Sequence, residues 1–210
     1  MSKAIFLGSF NPPHKGHYNC IKSVIESGQL EHLGIDKIHI IPCRQNPNKA
    51  KFHTSFVARY KMCESMFSDL IISGKVVIDD IENEIAPEYT FDLLQYFNHG
   101  NDNMIKDDFW WIITAETLQE IIDGKWFRSS ELLHDNNFII VYGENDCLYD
   151  AIQLVKQNKI CAVSVKLIDE VDYHSTQLRE KIKNGQSIIE ETNERVQNFI
   201  TENKLYYYNI

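Results

Sequence analysis

Apolar residues recur along this chain as short runs, separated by longer stretches with helical spacing. Ile5-Phe6-Leu7 is the first run, and Lys37–Pro42 the second, apolar enough to be buried on both faces. Lys75–Asp79, Phe109–Thr114, Asn137–Tyr142 and Ala162–Ile168 follow, and Phe109–Thr114 is the most apolar of the set. Between them, Ile21, Val24 and Ile25 mark one helix, and Phe56, Tyr60, Cys63 and Phe67 the face of another, with Thr54 as its cap. Thr90 caps a helix over Phe91–Phe97, with Asp92 in its first turn, and further helices are expected up to Leu133 and over Leu148–Lys156. Asp80–Glu88 reads as irregular and Asn98–Asp107 as a loop. A tail helix spans about Ile188 to Thr201, with Ile189, Val196 and Ile200 on one face. Strands alternating with helices predict an α/β fold: a doubly wound, mostly parallel, Rossmann-like sheet in one domain over residues 1–210. No GxGxxG occurs, so a dehydrogenase-type dinucleotide site is not indicated.

The junction between the first strand and the first helix carries the chemistry. It reads Gly8-Ser9-Phe10-Asn11-Pro12-Pro13-His14-Lys15-Gly16-His17. The prolines forbid helix across the turn, so the helix begins near His14. A helix start offers unpaired N–H groups and partial positive charge, which suit phosphate. Gly8 and Gly16 would let a ligand approach the backbone, and His14 and His17, three apart, can point the same way. Capping, surface exposure or zinc ligation are other uses of two such histidines. A second cradle of the same kind is Ser175-Thr176, read as N-cap candidates, with Arg179 one turn later. The polar loop after the second strand supplies Arg44, Lys49 and Lys51, any of which could reach a phosphate or simply be solvated.

Composition narrows the partners. Of 210 residues, 43% are hydrophobic, enough for a sizeable core. The net charge of −9 argues against general nucleic-acid binding but leaves room for a local anion site. Five cysteines without a CxxC pair suit reduced thiols, and no membrane-length apolar run occurs, so the expectation is a cytoplasmic protein with no membrane partner. Self-association into a homo-oligomer stays open.

The Gly-Ser-Phe-Asn-Pro-Pro-His-x-Gly-His string resembles the signature of the HxGH nucleotidyltransferases, above all the nicotinate/nicotinamide mononucleotide adenylyltransferases. The resemblance extends to Arg179. Asn46-Pro47-Asn48-Lys49 is similar to the family's Pro-rich loop, with its lysine falling on Lys49, and Arg59 with Met62 to its Arg-x-x-Met. Tyr89-Thr90 matches a pair that lines the pyridine nucleotide site, and Trp126-Phe127-Arg128 matches Trp-x-Arg, whose tryptophan stacks on the nicotinate ring. Such stacking is physically apt, since a pyridinium is drawn to an indole face. Two positions depart. Thr114-Ala115-Glu116 stands where the family commonly has Gly-Ala-Asp, and His174 replaces a serine in the motif that here retains Ser175, Thr176 and Arg179.

The resemblance implies adenylyl transfer from ATP, carried with Mg²⁺, to a pyridine mononucleotide. It places ATP against Gly8, Ser9, Phe10, Gly16, His17, Ser175, Thr176 and Arg179, and the pyridine nucleotide against Asn11, Lys49, Tyr89, Thr90 and Trp126. The catalytic groups would be His14, His17 and Arg179. Other readings are transfer to a different phosphate, such as phosphopantetheine, or a nucleotide-binding regulator without turnover.

Overall fold

A computed structural model describes residues 2–45, 54–99, 109–143, 153 and 155–207. Lys49 and most of the stretch Leu148–Lys156 lie outside the described residues.

Six strands form one sheet: β1 (Ser2–Gly8), β2 (Ile35–Pro42), β3 (Val76–Ile78), β4 (Phe109–Thr114), β5 (Asn137–Tyr142) and β6 (Cys161–Lys166). Their spatial order is β3-β2-β1-β4-β5-β6 and every pairing is parallel. The chain leaves β1 toward β2 and β3 on one side, then returns to build β4, β5 and β6 on the other. The crevice for a ligand in such a sheet lies beyond the carboxyl ends of the two strands where the order reverses. Here those strands are β1 and β4, and the signature loop begins at the end of β1.

The helices are α1 (Lys15–Glu26), α2 (Gln29–His32), α3 (Phe56–Met66), α4 (Ser68–Ile72), α5 (Ile81–Ile85), α6 (Thr90–His99), α7 (Ala115–Ile122), α8 (Ser129–Asp135), α9 (Ser175–Lys183) and α10 (Glu194–Glu202). Alternation along the strands sends side chains to two cores, as the period of two requires. Ala4, Phe6, Ile38 and Ile40 face α1, α3, α9 and α10 through Ile21, Met62, Leu178 and Val196. Ile5, Ile41, Trp111 and Ile113 face α6, α7 and α8 through Leu93, Leu118 and Leu132. The central strands are therefore covered on both sides, which is why they read as continuous apolar runs.

Several local expectations shift. Ser55, not Thr54, caps α3, its hydroxyl accepting from the Ala58 N–H at 3.2 Å. Thr90 is the first residue of α6, and the Asp92 carboxylate accepts from the Tyr89 N–H at 2.9 Å. His174 occupies the N-cap of α9, so Ser175 and Thr176 lie inside its first turn. The acidic stretch after β3 is not wholly irregular, because α5 forms there with Glu82 buried. The tail helix starts only at Glu194, beyond the Asn193 cap, and Ile189 lies outside it, 41% exposed. Val196 and Ile200 are buried as expected.

Candidate active site

The signature loop is built as a folded turn. Phe10 adopts φ +44° and buries its ring among Phe6, Phe67 and His17, 5.0 Å from the His17 ring. A Cβ on Gly8 would stand 2.8 Å from the Phe10 ring, and one on Gly16 would stand 3.0 Å from the His14 ring. The side-chain space at both glycines is thus taken by the protein's own rings, so neither position admits a larger residue, while Gly8 also lines the cleft described below.

His14 and His17 come together as expected, with ring centroids 3.8 Å apart. The His14 N–H donates to His17 Nδ1 at 3.2 Å, which places the His17 ring proton on Nε2. In that tautomer Nε2 is the donor of the His17 ring. His14 is buried, and among the described residues its Nδ1 has no hydrogen-bond partner. Burial, helped by the charge of His174, lowers its pKa from 6.5 to about 4, so it is neutral at physiological pH. At the start of α1 the Glu191 carbonyl accepts from the Lys15 N–H at 2.8 Å. Gly16 lies in the first turn of α1, and nothing among the described residues accepts from its N–H.

The second motif closes directly on the first. Arg179 Nη1 donates to the Asn11 carbonyl at 2.8 Å and its Nη2 to Thr176 Oγ1 at 3.1 Å. The Ser175 hydroxyl donates to the Pro12 carbonyl at 2.9 Å. Two stretches more than 160 residues apart in sequence thus share one rim. The His174 side chain is mostly exposed, 3.2 Å from Asp172, and the hydrogen bonds of Ser175 and Arg179 described above do not run through it.

Beside this rim lies a cleft of about 720 Å³, counting its open mouth. Gly8, Ser9, Tyr89, Thr90 and Trp126 all line it, which unites the first signature with the proposed pyridine subsite. Trp126 donates from Nε1 to Glu120 at 3.2 Å and packs edge-on against Trp111, so its indole is firmly placed. Phe127 stacks on Tyr89 with centroids 4.4 Å apart, and the Arg128 guanidinium lies 4.9 Å over Phe91. Thr114 does not open the backbone as a glycine would. Its hydroxyl instead caps α7, accepting from the Thr117 N–H at 3.2 Å.

Sequence reasoning missed two buried charges. Arg59 is fully buried. Its Nη1 donates to the Ser9 carbonyl at 2.8 Å and its Nη2 to the Arg44 carbonyl at 3.0 Å. Glu82 accepts from the Arg44 N–H and lines the cleft. Burial pushes the Glu82 carboxyl up to about 7, against the opposing pull of that hydrogen bond and of Arg59. Together the pair pins the segment after β2 to the signature loop. The only advance signal was Arg59 beside Met62 in the Arg-x-x-Met match. Among the described residues no group of three or more His, Cys, Asp or Glu side chains could hold a metal ion.

The β1–α1 turn at the sheet switch point and the second helix start that closes on it both fall within the stretch that comparisons with known proteins match, and these mark the chain as a nucleotidyltransferase. The chain belongs to the cytidylyltransferase-like family, whose model matches residues 5–181. Among curated relatives, a probable nicotinate-nucleotide adenylyltransferase of Fusobacterium nucleatum is 30% identical over 95% of this chain and 97% of its own length. Another of that name, from Clostridium acetobutylicum, is 28% identical over 97% and 98%. The fold is also that of the Plasmodium falciparum nicotinic acid mononucleotide adenylyltransferase solved with NaAD. That match has a TM-score of 0.76 at 19% identity, covering 99% of this chain and 98% of the other. No helix among the described residues is long and apolar enough to cross a membrane.

Proposed function

We propose that this enzyme transfers the adenylyl group of ATP to nicotinate mononucleotide, forming nicotinate adenine dinucleotide and pyrophosphate in NAD biosynthesis. The observation that carries it is the junction of the two motifs, where Arg179 and Ser175 bond to Asn11 and Pro12 beside an aromatic cleft. The choice of acceptor follows the names of the relatives.

A phosphate oxygen of the mononucleotide attacks the α-phosphorus of ATP. The bond from that phosphorus to the bridging oxygen breaks, and pyrophosphate leaves with the electron pair. The nucleophile is already anionic at neutral pH, so no strong general base is needed, and catalysis rests on positioning and charge stabilisation. His17, its proton on Nε2, donates to the α-phosphate as charge builds there. Neutral His14 supports that ring from below, and the Gly16 N–H adds a backbone donor. Arg179 has five N–H donors, of which two are used internally, and it grips the departing pyrophosphate together with Thr176. Mg²⁺ enters as part of the Mg–ATP substrate, held mainly by phosphate oxygens and water. Trp126 and Tyr89 take the pyridine ring, and Lys49 is a further phosphate contact.

The test is pyrophosphate release from Mg–ATP with nicotinate or nicotinamide mononucleotide supplied separately. Release is expected with nicotinate mononucleotide, and at least about tenfold less with the amide. His17→Ala should lower kcat by roughly 10²–10³, as removal of a transition-state donor does elsewhere. Full turnover by His17→Ala would remove the centre of the mechanism.

A further inference from the structure

The family match ends at residue 181, yet the chain beyond it reaches back into the signature loop. The Tyr206 hydroxyl donates to Asn11 Oδ1 at 2.7 Å, across 195 positions of sequence. Thr54, itself buried, hydrogen-bonds the same phenol. Arg59 and Arg179 stand near enough to act on it electrostatically. Tyr206 also adopts φ +70°, a conformation costly for a residue with a Cβ, and held here by its surroundings.

The consequence falls on the Asn11 amide. Its main-chain carbonyl is held by Arg179 and its side-chain oxygen by Tyr206. Asn11 as a whole is buried, 8% exposed, and among the described residues Nδ2 has no hydrogen-bond partner. An amide whose oxygen is fixed can only present its N–H₂ outward, as a donor. We propose that Tyr206 is a positioning residue: it fixes the Asn11 amide so that Nδ2 donates to an oxygen of the anionic mononucleotide acceptor. This rests on the adenylyl transfer proposed above. Without the phenol, the amide can turn its oxygen to the ligand and oppose the acceptor it should bind.

Tyr206→Phe keeps the ring and removes only the hydroxyl, and Asn11→Ala removes the amide. Steady-state kinetics of both variants and the double variant, with Mg–ATP and nicotinate mononucleotide varied in turn, test the idea. For Tyr206→Phe, KM for nicotinate mononucleotide should rise about tenfold, while KM for Mg–ATP changes less than about twofold. In the Asn11→Ala background the same change should be silent, because its target is gone. A general loosening of the fold would move both KM values and would persist in that background. An unchanged KM, or an effect that adds in full to Asn11→Ala, overturns the proposal while the enzymatic reading stands. A wild-type enzyme that cannot use this acceptor overturns both.

Discussion

His14, in the signature loop, and Glu82, in the cleft that Ser9 also lines, have opposite proton demands. The folded chain holds His14 down at about 4, against 6.5 for a free histidine, and Glu82 up at about 7, against 4.5. Below pH 6.5 the unfolded chain takes up a proton at His14 that the folded chain refuses. His14 therefore contributes stability that is present above pH 6.5 and lost as pH falls toward 4. Above pH 4.5 the unfolded chain releases the proton of Glu82, which the folded chain keeps. Its contribution is present below pH 4.5 and lost as pH rises through 7. Each full titration is worth about 3 kcal/mol, so between pH 4.5 and 6.5 the two slopes cancel in the wild type. Removing one partner uncovers the other. Relative to wild type, His14→Gln should gain about 2.5 kcal/mol of stability between pH 7.5 and 4.5. Glu82→Gln should gain about as much over the same interval in the opposite direction. Urea unfolding of ligand-free protein at several pH values reads this as a midpoint shift of about 1 M. Midpoint differences from wild type that stay constant to about 0.2 M across the series would refute the reasoning.

Two further changes probe the loop and the rim. Gly8→Ala forces a Cβ to within 2.8 Å of the Phe10 ring, which is packed too tightly to yield. It should cost about 1–3 kcal/mol and lower Tm by about 2–4 °C per kcal/mol in a scan, with partial recovery when Phe10→Leu is added. Arg179→Lys loses the paired contacts to Asn11 and Thr176. KM for Mg–ATP should rise about tenfold or more in steady-state kinetics, and a value near wild type would remove Arg179 from the phosphate site.

The strands were legible because burial on both faces makes them continuous apolar runs. β4 and β5 run over the residues the pattern marks, while β3 and β6, at the sheet edges, are shorter than expected. The phosphate turn was legible because proline and glycine dictate backbone shape locally. What escaped depends on partners distant in sequence. Arg59 lies on a helix whose apolar positions were read from Phe56, Tyr60 and Cys63, and the carbonyls of Ser9 and Arg44 that hold it come from distant parts of the sequence. Glu82 sits in an acidic stretch whose neighbours are solvated, and nothing in its spacing signals burial. The need for glycine at position 8 also has a second cause the sequence hides, because the ring of Phe10, two residues later, fills the space of a Cβ there. Thr114 stood out as a departure from the family's glycine, and the structure gives its hydroxyl a helix cap to make.

The contact between Tyr206 and Asn11 bears on the order of events during synthesis. The signature loop leaves the ribosome well before the phenol that holds its amide, which is made 195 residues later. Glu191, whose carbonyl receives the Lys15 N–H, also comes late. A nascent chain long enough to form the sheet and both motifs would still lack these two braces on the loop at its beginning. Closing so long a loop has an entropic cost that other contacts must already offset. The loop is thus braced last, once the sheet and the helices around it are in place.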